Sequence, residues 1–231
     1  MSRPDPSGSR APGPGGPGRG AGGPAPGGGF DFSGGALCLD FANTLADRPR
    51  GEQESLRGID DLVAWCEEAG LVARREAGRT IDEARRSPSG ARRAFRRAIA
   101  LRERLYRVFA ALAAGTRPDR SDVDALNRDL ASALSQLRLE SGETGFAWGW
   151  SERGGGAARL TWPVVRSAAD LLTSDEAGSV RECGSPTCSW LFVDRSRTGR
   201  RRWCDMKTCG NRAKARRHYH KARKAKRGPP P

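Results

Sequence analysis

The chain has 231 residues, with 41 Lys and Arg against 27 Asp and Glu, and a formal net charge of +14. This length is enough for one or two modest domains. The N-terminal sequence lacks the apolar segment of a signal peptide, and no stretch approaches the roughly 18 apolar residues of a membrane-spanning helix. We therefore expect a cytoplasmic protein with no membrane partner.

The N-terminal segment differs in composition from the rest of the chain. Residues 1–29 contain 11 Gly and 7 Pro. Their few apolar side chains cannot offset the entropy lost on ordering, so we predict a disordered tail. The remainder divides into a domain over residues 30–175 and a small basic module over residues 181–227.

The first half of this domain has mainly helical patterns. A short strand that turns into a helix is predicted within Phe30–Leu45, and an amphipathic helix for Ile59–Ala69, which ends before a glycine. Thr80–Glu83 has the form of a capping box and predicts a short helix that Pro88 ends. A longer helix is predicted from about Ala91 to Ala114, because its apolar residues recur every three or four positions.

The second half adds a change of period. Ser121 and Asp124 predict the start of another helix, with Leu137 on its apolar face. Phe146, Trp148 and Trp150 then alternate with small residues, which predicts a β-hairpin with the segment 159–162. A helix from 163 to about 173 and a flexible step near 173–180 complete the domain. The fold class is therefore α+β, with a mainly helical N-terminal domain that contains a β-hairpin.

Positive charge is concentrated at the C-terminal end. Residues 181–231 hold 16 Lys and Arg against 3 acidic residues, so residues 1–180 carry a net charge of only +1. A local excess of this size favours a polyanionic partner such as nucleic acid.

Four of the six cysteines form two pairs in this basic module. Cys183 and Cys188 are separated by four residues, as are Cys204 and Cys209, and 15 residues lie between the pairs. Two such knuckles complete the tetrahedral four-sulfur shell that zinc takes in closed structural sites. We expect one Zn²⁺, held in a finger made of a β-hairpin over residues 190–203 and a basic helix. The alternative is four unrelated buried or redox-active thiols.

Other candidate ligands have simpler interpretations. Cys38 and Cys66 lie on apolar faces of predicted elements, which is typical of inert core cysteines. His218 and His220 could replace a cysteine as metal ligands, but four thiolates already saturate a tetrahedral site.

The segment after the last cysteine carries the densest charge. Residues 210–227 contain nine Lys or Arg and no acidic residue, so a helix there would place like charges on neighbouring turns. Ala215, Ala222 and Ala225 form a small-residue stripe that could pack on the hairpin, while Arg201 and Arg202 extend the basic surface. We expect phosphate contacts from Arg195, Arg197, Arg200, Arg212, Lys214, Arg216, Arg217, Lys221, Arg223 and Lys224. A solvated basic tail is the alternative, and such contacts do not distinguish DNA from RNA.

Polar and aromatic residues of the domain have two interpretations each. Asp40 and Asn43 are either helix caps or ligand-binding groups. Trp148, Trp150 and Trp162 either pack in the core or line a small-molecule pocket. No Ser-His-Asp arrangement and no phosphate-binding glycine loop is present, so we expect no enzymatic activity. An RNA-binding protein, or an enzyme localised by a basic finger, stays an alternative.

Two segments carry a resemblance to known families. Cys209-Gly210-Asn211-Arg212, preceded by the other three cysteines, resembles the CGNR zinc finger. Leu37–Leu45, which reads LCLDFANTL, resembles the start of the ABATE domain that precedes this finger in bacterial proteins described as stress-induced transcription regulators. The resemblance implies a zinc-dependent DNA-binding module on a regulatory domain. It identifies the four cysteines as ligands and Gly210, Asn211 and Arg212 as signature residues.

Overall fold

A computed structural model describes residues 29–48, 50, 53–142, 145–151 and 156–226, and for residues 220–226 it describes only the helical backbone. The predicted disordered tail therefore lies outside the described residues, apart from Gly29.

Helices dominate the described part of the chain, and three small antiparallel hairpins connect them. The helices are α1 Leu37–Ala42, α2 Ile59–Glu68, α3 Arg74–Arg86, α4 Pro88–Ala113, α5 Arg120–Leu134, α6 Trp162–Leu172 and α7 Asn211–Lys226. The strands pair as β1 Leu45–Ala46 with β2 Gln53–Glu54, β3 Leu137–Gly142 with β4 Gly145–Trp150, and β5 Val180–Glu182 with β6 Leu191–Val193. This confirms the predicted fold class, including a hairpin and a basic helix in the C-terminal finger.

The central element is α4, which at 26 residues is about 39 Å long. It buries Leu101, Leu105 and Phe109 against the surrounding helices α1, α2, α3 and α5. Trp65 of α2 is fully buried beside the ring of Phe41, with 5.0 Å between the ring centroids. The core is therefore built around one amphipathic helix, as its period predicted.

Several local predictions were wrong in detail. Residues 37–42 form a helix, and the short strand follows it rather than precedes it. Thr80 does not cap a helix, because it lies inside α3 and its hydroxyl donates to the carbonyl of Glu76 at 3.0 Å. The N-cap of α5 is Asp119, whose side chain accepts the N–H of Ser121 at 2.7 Å.

The aromatic hairpin also pairs differently. Strand β4 pairs with β3, which contains Leu137, whereas residues 156–161 form a 3₁₀-helix. Trp150 packs on Trp162 with 5.9 Å between centroids, so the core interpretation applies to these two rings. Phe146 and Trp148 are 79% and 56% exposed, and therefore neither lies in the core.

The core continues from the N-terminal domain into the finger. Val180, Leu191 and Val193, on β5 and β6, are buried in the same apolar cluster as Phe41 and Leu105. The residues before them, Asp175–Ser179, form a 3₁₀-helix that contacts α4 and α6, in place of the flexible step that the sequence predicted. The finger hairpin is therefore part of the main hydrophobic core.

Candidate metal centre and basic surface

Two tight turns position the four cysteines. In the first, the N–H of Cys183 donates to the carbonyl of Trp190 at 2.8 Å, and the N–H of Cys188 donates to the carbonyl of Ser185 at 3.2 Å. In the second, Asp205 caps a π-helical turn over Met206–Gly210 by accepting the N–H and the hydroxyl of Thr208 at 2.7 and 2.9 Å. Each turn brings two thiols to one side of the backbone.

The sulfur atoms of Cys183, Cys188, Cys204 and Cys209 all lie within 4.8 Å of one another, and all four side chains are buried. The Cys188–Cys204 and Cys204–Cys209 sulfur distances are 3.5 and 3.7 Å. A tetrahedral zinc with Zn–S bonds of about 2.3 Å places its sulfurs about 3.8 Å apart. The donor set and its spacing therefore fit Zn²⁺.

The sulfurs also control one another's protonation. Hydrogen bonds from neighbouring thiols lower the pKa of Cys183 to about 7 and that of Cys209 well below its ordinary value. The same contacts raise the pKa values of Cys188 and Cys204, because these thiols act as the donors. Zinc binding removes the remaining protons, because cysteine binds the metal as thiolate.

Aromatic and backbone contacts enclose the cluster. Phe192 is buried against the cysteines, and Trp190 and Trp203 pack on the same cluster. The hairpin differs from the prediction, because β6 pairs with β5 and not with the segment around Trp203. A Cβ atom at Gly210 would lie 2.9 Å from the Met206 sulfur, which is closer than packed atoms approach. Met206 is 50% exposed and the end of its side chain can move aside, so this contact does not by itself require glycine.

Arg201 belongs to the structure of the finger rather than to its outer surface. Its side chain donates to the carbonyls of Trp203 and Cys204, and its guanidinium lies 4.4 Å from the centroid of the Phe192 ring. The prediction that Arg201 extends the basic surface is wrong, because its hydrogen bonds hold the segment before the second turn.

The finger is fastened to the N-terminal domain by Asn43, the residue that ends α1. The Asn43 amide donates to the carbonyl of Leu191 and accepts its N–H, both at 2.8 Å. The N–H of Asp47 donates to the carbonyl of Cys188 at 3.0 Å, and the N–H of Arg48 donates to the Ser189 hydroxyl at 3.1 Å. Asn43 is therefore neither a simple cap nor an exposed ligand group.

Asp40, the other candidate cap, lies inside α1 and reaches back along the chain. Its carboxylate accepts the N–H of Gly34 at 2.7 Å. Burial raises the pKa of Asp40 to about 7, and the nearby charge of Asp31 adds to this shift. The sequence does not predict these contacts, because an Asp beside an apolar segment is equally typical of a helix cap and of a buried residue.

Helix α7 begins directly after the last cysteine. Ala213 is the buried alanine of its first turns, whereas Ala215 of the predicted stripe is exposed. Arg216 is half-buried, and its guanidinium lies 3.5 Å from the hydroxyl of Ser185 in the first knuckle. The signature side chain of Asn211 donates to the carbonyl of Lys207 at 2.9 Å, which joins the helix to the second knuckle.

The remaining candidate phosphate contacts lie on two segments, α7 and the loop after β6. Arg195 forms an ion pair with Glu176, with nitrogen–oxygen distances of 2.5 and 2.8 Å. The side chains of Lys221, Arg223 and Lys224 lie outside the described residues, as does that of His220. Among the basic residues that the sequence analysis assigned to this surface, those with exposed, described side chains and no ion pair to another described residue are Arg197, Arg200, Arg202, Arg212, Lys214 and Arg217.

Cys38 and Cys66 are fully buried among apolar side chains, as expected of core thiols. Burial raises the pKa of each to about 12. These thiols are therefore protonated at neutral pH and have little nucleophilic character. In the described part of the chain, no helix is both long and apolar enough to cross a membrane.

Comparison with protein families identifies both halves of the chain. The ABATE family model, described as "Putative stress-induced transcription regulator", matches residues 35–175. The CGNR zinc finger model matches residues 179–222. A search of curated proteins found no match. The chain belongs to the ABATE family and carries a CGNR zinc finger, so Zn²⁺ is its cofactor and a regulator, rather than an enzyme, is the class to which the families point.

Proposed function

We propose that this ABATE-family protein is a zinc-dependent DNA-binding transcription regulator of the cytoplasm, with Cys183, Cys188, Cys204 and Cys209 as the zinc ligands. The observation that carries the proposal is the direct connection between the metal cluster and the basic helix. Cys209 lies in the turn whose last residue, Gly210, precedes α7.

This connection makes the position of the cations depend on the metal. Binding of zinc to small fingers supplies an apparent ~10–16 kcal/mol and is coupled to their folding. The first two turns of α7 contact both knuckles, because Arg216 reaches Ser185, Asn211 donates to Lys207, and Ala213 between them is buried. Loss of zinc therefore removes the contacts that orient Arg212, Lys214 and Arg217.

The exposed cations are suited to contact DNA phosphates independently of base sequence. Arg197 and Arg200 lie on the loop after β6, and Arg212, Lys214 and Arg217 lie on α7, all exposed. We also assign phosphate contacts to Arg216, Lys221, Arg223 and Lys224. A contact by Arg195 requires exchange of its partner Glu176 for a phosphate, so we expect this residue to contribute least.

Metal analysis of two cysteine variants tests the zinc assignment. Cys204→Ser removes one of four thiolates and should lose most of its zinc, because a three-sulfur site is open and holds the small module poorly. Cys66→Ser is the matched control, since Cys66 is buried in the main core and is not part of the four-cysteine cluster. Equal zinc content in the two purified variants would contradict the assignment.

Titration of duplex DNA over a range of salt concentrations tests the nucleic-acid partner. The full chain is required, because removal of residues 181–231 would also remove Leu191 and Val193 from the main core. If five to eight cations contact phosphates, log affinity should fall with log salt with a slope of roughly −4.5 to −7. Lys214→Ala and Arg217→Ala should each reduce the slope by about one unit, at every DNA sequence.

Matched controls distinguish phosphate contacts by the finger from a general effect of charge and from RNA binding. Arg117→Ala and Arg128→Ala remove exposed cations of the N-terminal domain and should leave the slope unchanged. Chelation of zinc should weaken DNA binding and reduce the slope, because it removes the contribution of the finger. Tighter binding to structured RNA than to duplex DNA in direct competition would favour an RNA-binding protein, and an affinity that does not change with salt would refute phosphate recognition.

A further inference from the structure

The N-terminal domain has a second concentration of positive charge, on α3 and the first half of α4. Between residues 74 and 97 there are nine arginines and three acidic residues, a net charge of +6. All nine arginine side chains are exposed. We call this set the arginine surface: Arg74, Arg75, Arg79, Arg85, Arg86, Arg92, Arg93, Arg96 and Arg97. The near-neutral total for residues 1–180 conceals it.

Ion pairing changes abruptly along α4. In its second half Arg102 pairs with Glu54, Arg104 with Asp129 and Arg107 with Asp122. In its first half the arginines have no ion pair among the described residues. They are Arg92, Arg93, Arg96 and Arg97. The same helix thus neutralises its cations at one end and leaves them uncompensated at the other.

The uncompensated end has an energetic cost to the isolated protein. Arg92 and Arg96 are four residues apart on one helix face, as are Arg93 and Arg97, and such like-charge pairs each destabilise a helix by a few tenths of a kcal/mol. The first turn of α4 contains no acidic residue to offset them. A bound polyanion removes this repulsion.

Two grooves give the arginine surface places for anionic groups. One, of about 230 Å³, lies between α3 and α4 and is lined by Arg93 and Arg97 together with the carboxylate side chain of Glu83. The other, of about 360 Å³, is lined by Arg57, Arg85 and Arg92 together with Asp60. Cations outnumber carboxylates in both.

Helix α4 connects the arginine surface to the finger. Tyr106, in its second half, donates its hydroxyl to the Glu182 carboxylate of β5 at 3.1 Å. Arg93 is 13 residues earlier, or about 20 Å along the helix, which equals about six base-pair steps of a duplex. This distance, from Arg93 to the contact between α4 and the finger, is shorter than one ten-base-pair turn of a duplex.

We propose that the arginine surface is a second DNA-binding surface, which grips the phosphate backbone beside the segment that the finger contacts. This inference rests on the proposed DNA-binding function of the finger and extends its footprint to the N-terminal domain. Phosphates are the occupant that the charge favours, because the surface offers many separate cations in line rather than one enclosed site.

The test compares two full-length variants with the same loss of charge. R92Q/R93Q/R96Q/R97Q neutralises the first half of α4, and R117Q/R120Q/R128Q/R138Q removes four exposed arginines elsewhere on the domain. On a 30-base-pair duplex we expect the first variant to reduce the log affinity against log salt slope by about 1.8–3.6, for two to four lost phosphate contacts. The second should keep the wild-type slope, and R92K/R93K/R96K/R97K should restore it.

The outcomes separate this inference from the finger's function. An unchanged slope in the α4 variant, or an equal reduction in both glutamine variants, overturns the inference, while K214Q/R217Q in the same titration still reports on the finger. Wild-type protein that fails to bind duplex DNA overturns both proposals. Binding of poly-glutamate by wild type but not by the α4 variant, with DNA binding unchanged, assigns the surface to an acidic protein instead. Unfolding curves of each variant confirm that these exposed changes leave the fold intact.

Discussion

Asn43→Ala should weaken the attachment of the zinc finger to the core and lower the free energy of unfolding. Asn43 is only 5% exposed, and its side chain makes both hydrogen bonds to the backbone of Leu191 on β6. Alanine cannot replace either bond and leaves a buried N–H and a buried carbonyl without partners. An unmet buried polar group costs about 1–3 kcal/mol, so the variant should lose about 2–4 kcal/mol once partial hydration of the gap is allowed for.

This loss can be measured by thermal and urea unfolding of the zinc-loaded protein. For a chain of this size, 1 kcal/mol shifts Tm by roughly 2–4 °C, so we expect a decrease of about 4–16 °C. Asn127→Ala is the control, because Asn127 is exposed on α5 and should change stability by less than about 0.5 kcal/mol. If the two variants unfold together, the finger is not anchored through this side chain, and the reasoning from a shared core is refuted.

Two further predictions concern buried charge. Because burial raises the pKa of Asp40 to about 7, the folded state holds this proton more tightly than the unfolded chain, and stability is lost as pH rises from about 4 through 7. Asp40→Asn should therefore have a higher free energy of unfolding than wild type at pH 8. This difference in unfolding free energy should be about 2 kcal/mol smaller at pH 5.5. A difference in Tm that does not change with pH would contradict the raised pKa of Asp40. Arg102 is 2% exposed and binds both Glu54 oxygens at 2.7 Å, so Arg102→Gln should cost about 3 kcal/mol in urea unfolding. Arg104→Gln, which breaks a more exposed pair with Asp129, should cost less than about 1 kcal/mol, and equal losses would show that burial does not control these pairs.

Charge counting also shows how a sequence signal can be missed. A net charge of +1 over residues 1–180 indicated a neutral body, yet residues 74–97 alone carry +6. Net charge counted over short windows of the sequence, each about as long as residues 74–97, identifies this segment without any structure. Only the structure shows which arginines are compensated, because the carboxylates that pair with Arg104 and Arg107 come from another element, α5.

The metal site and the long helix were determined by the sequence itself. Cysteine spacing reflects the reach of a tight turn, and the recurrence of Leu101, Leu105 and Phe109 reflects the period of a helix, so neighbours along the chain suffice. Strand pairing was decided by tertiary structure. Residues 146–150 could pair with the segment before or after them, and only packing shows that they pair with β3 and leave Trp148 exposed. The role of Asn43 was also decided by tertiary structure. Its partner Leu191 is 148 residues away, and a contact across so long a loop cannot be predicted from the local sequence.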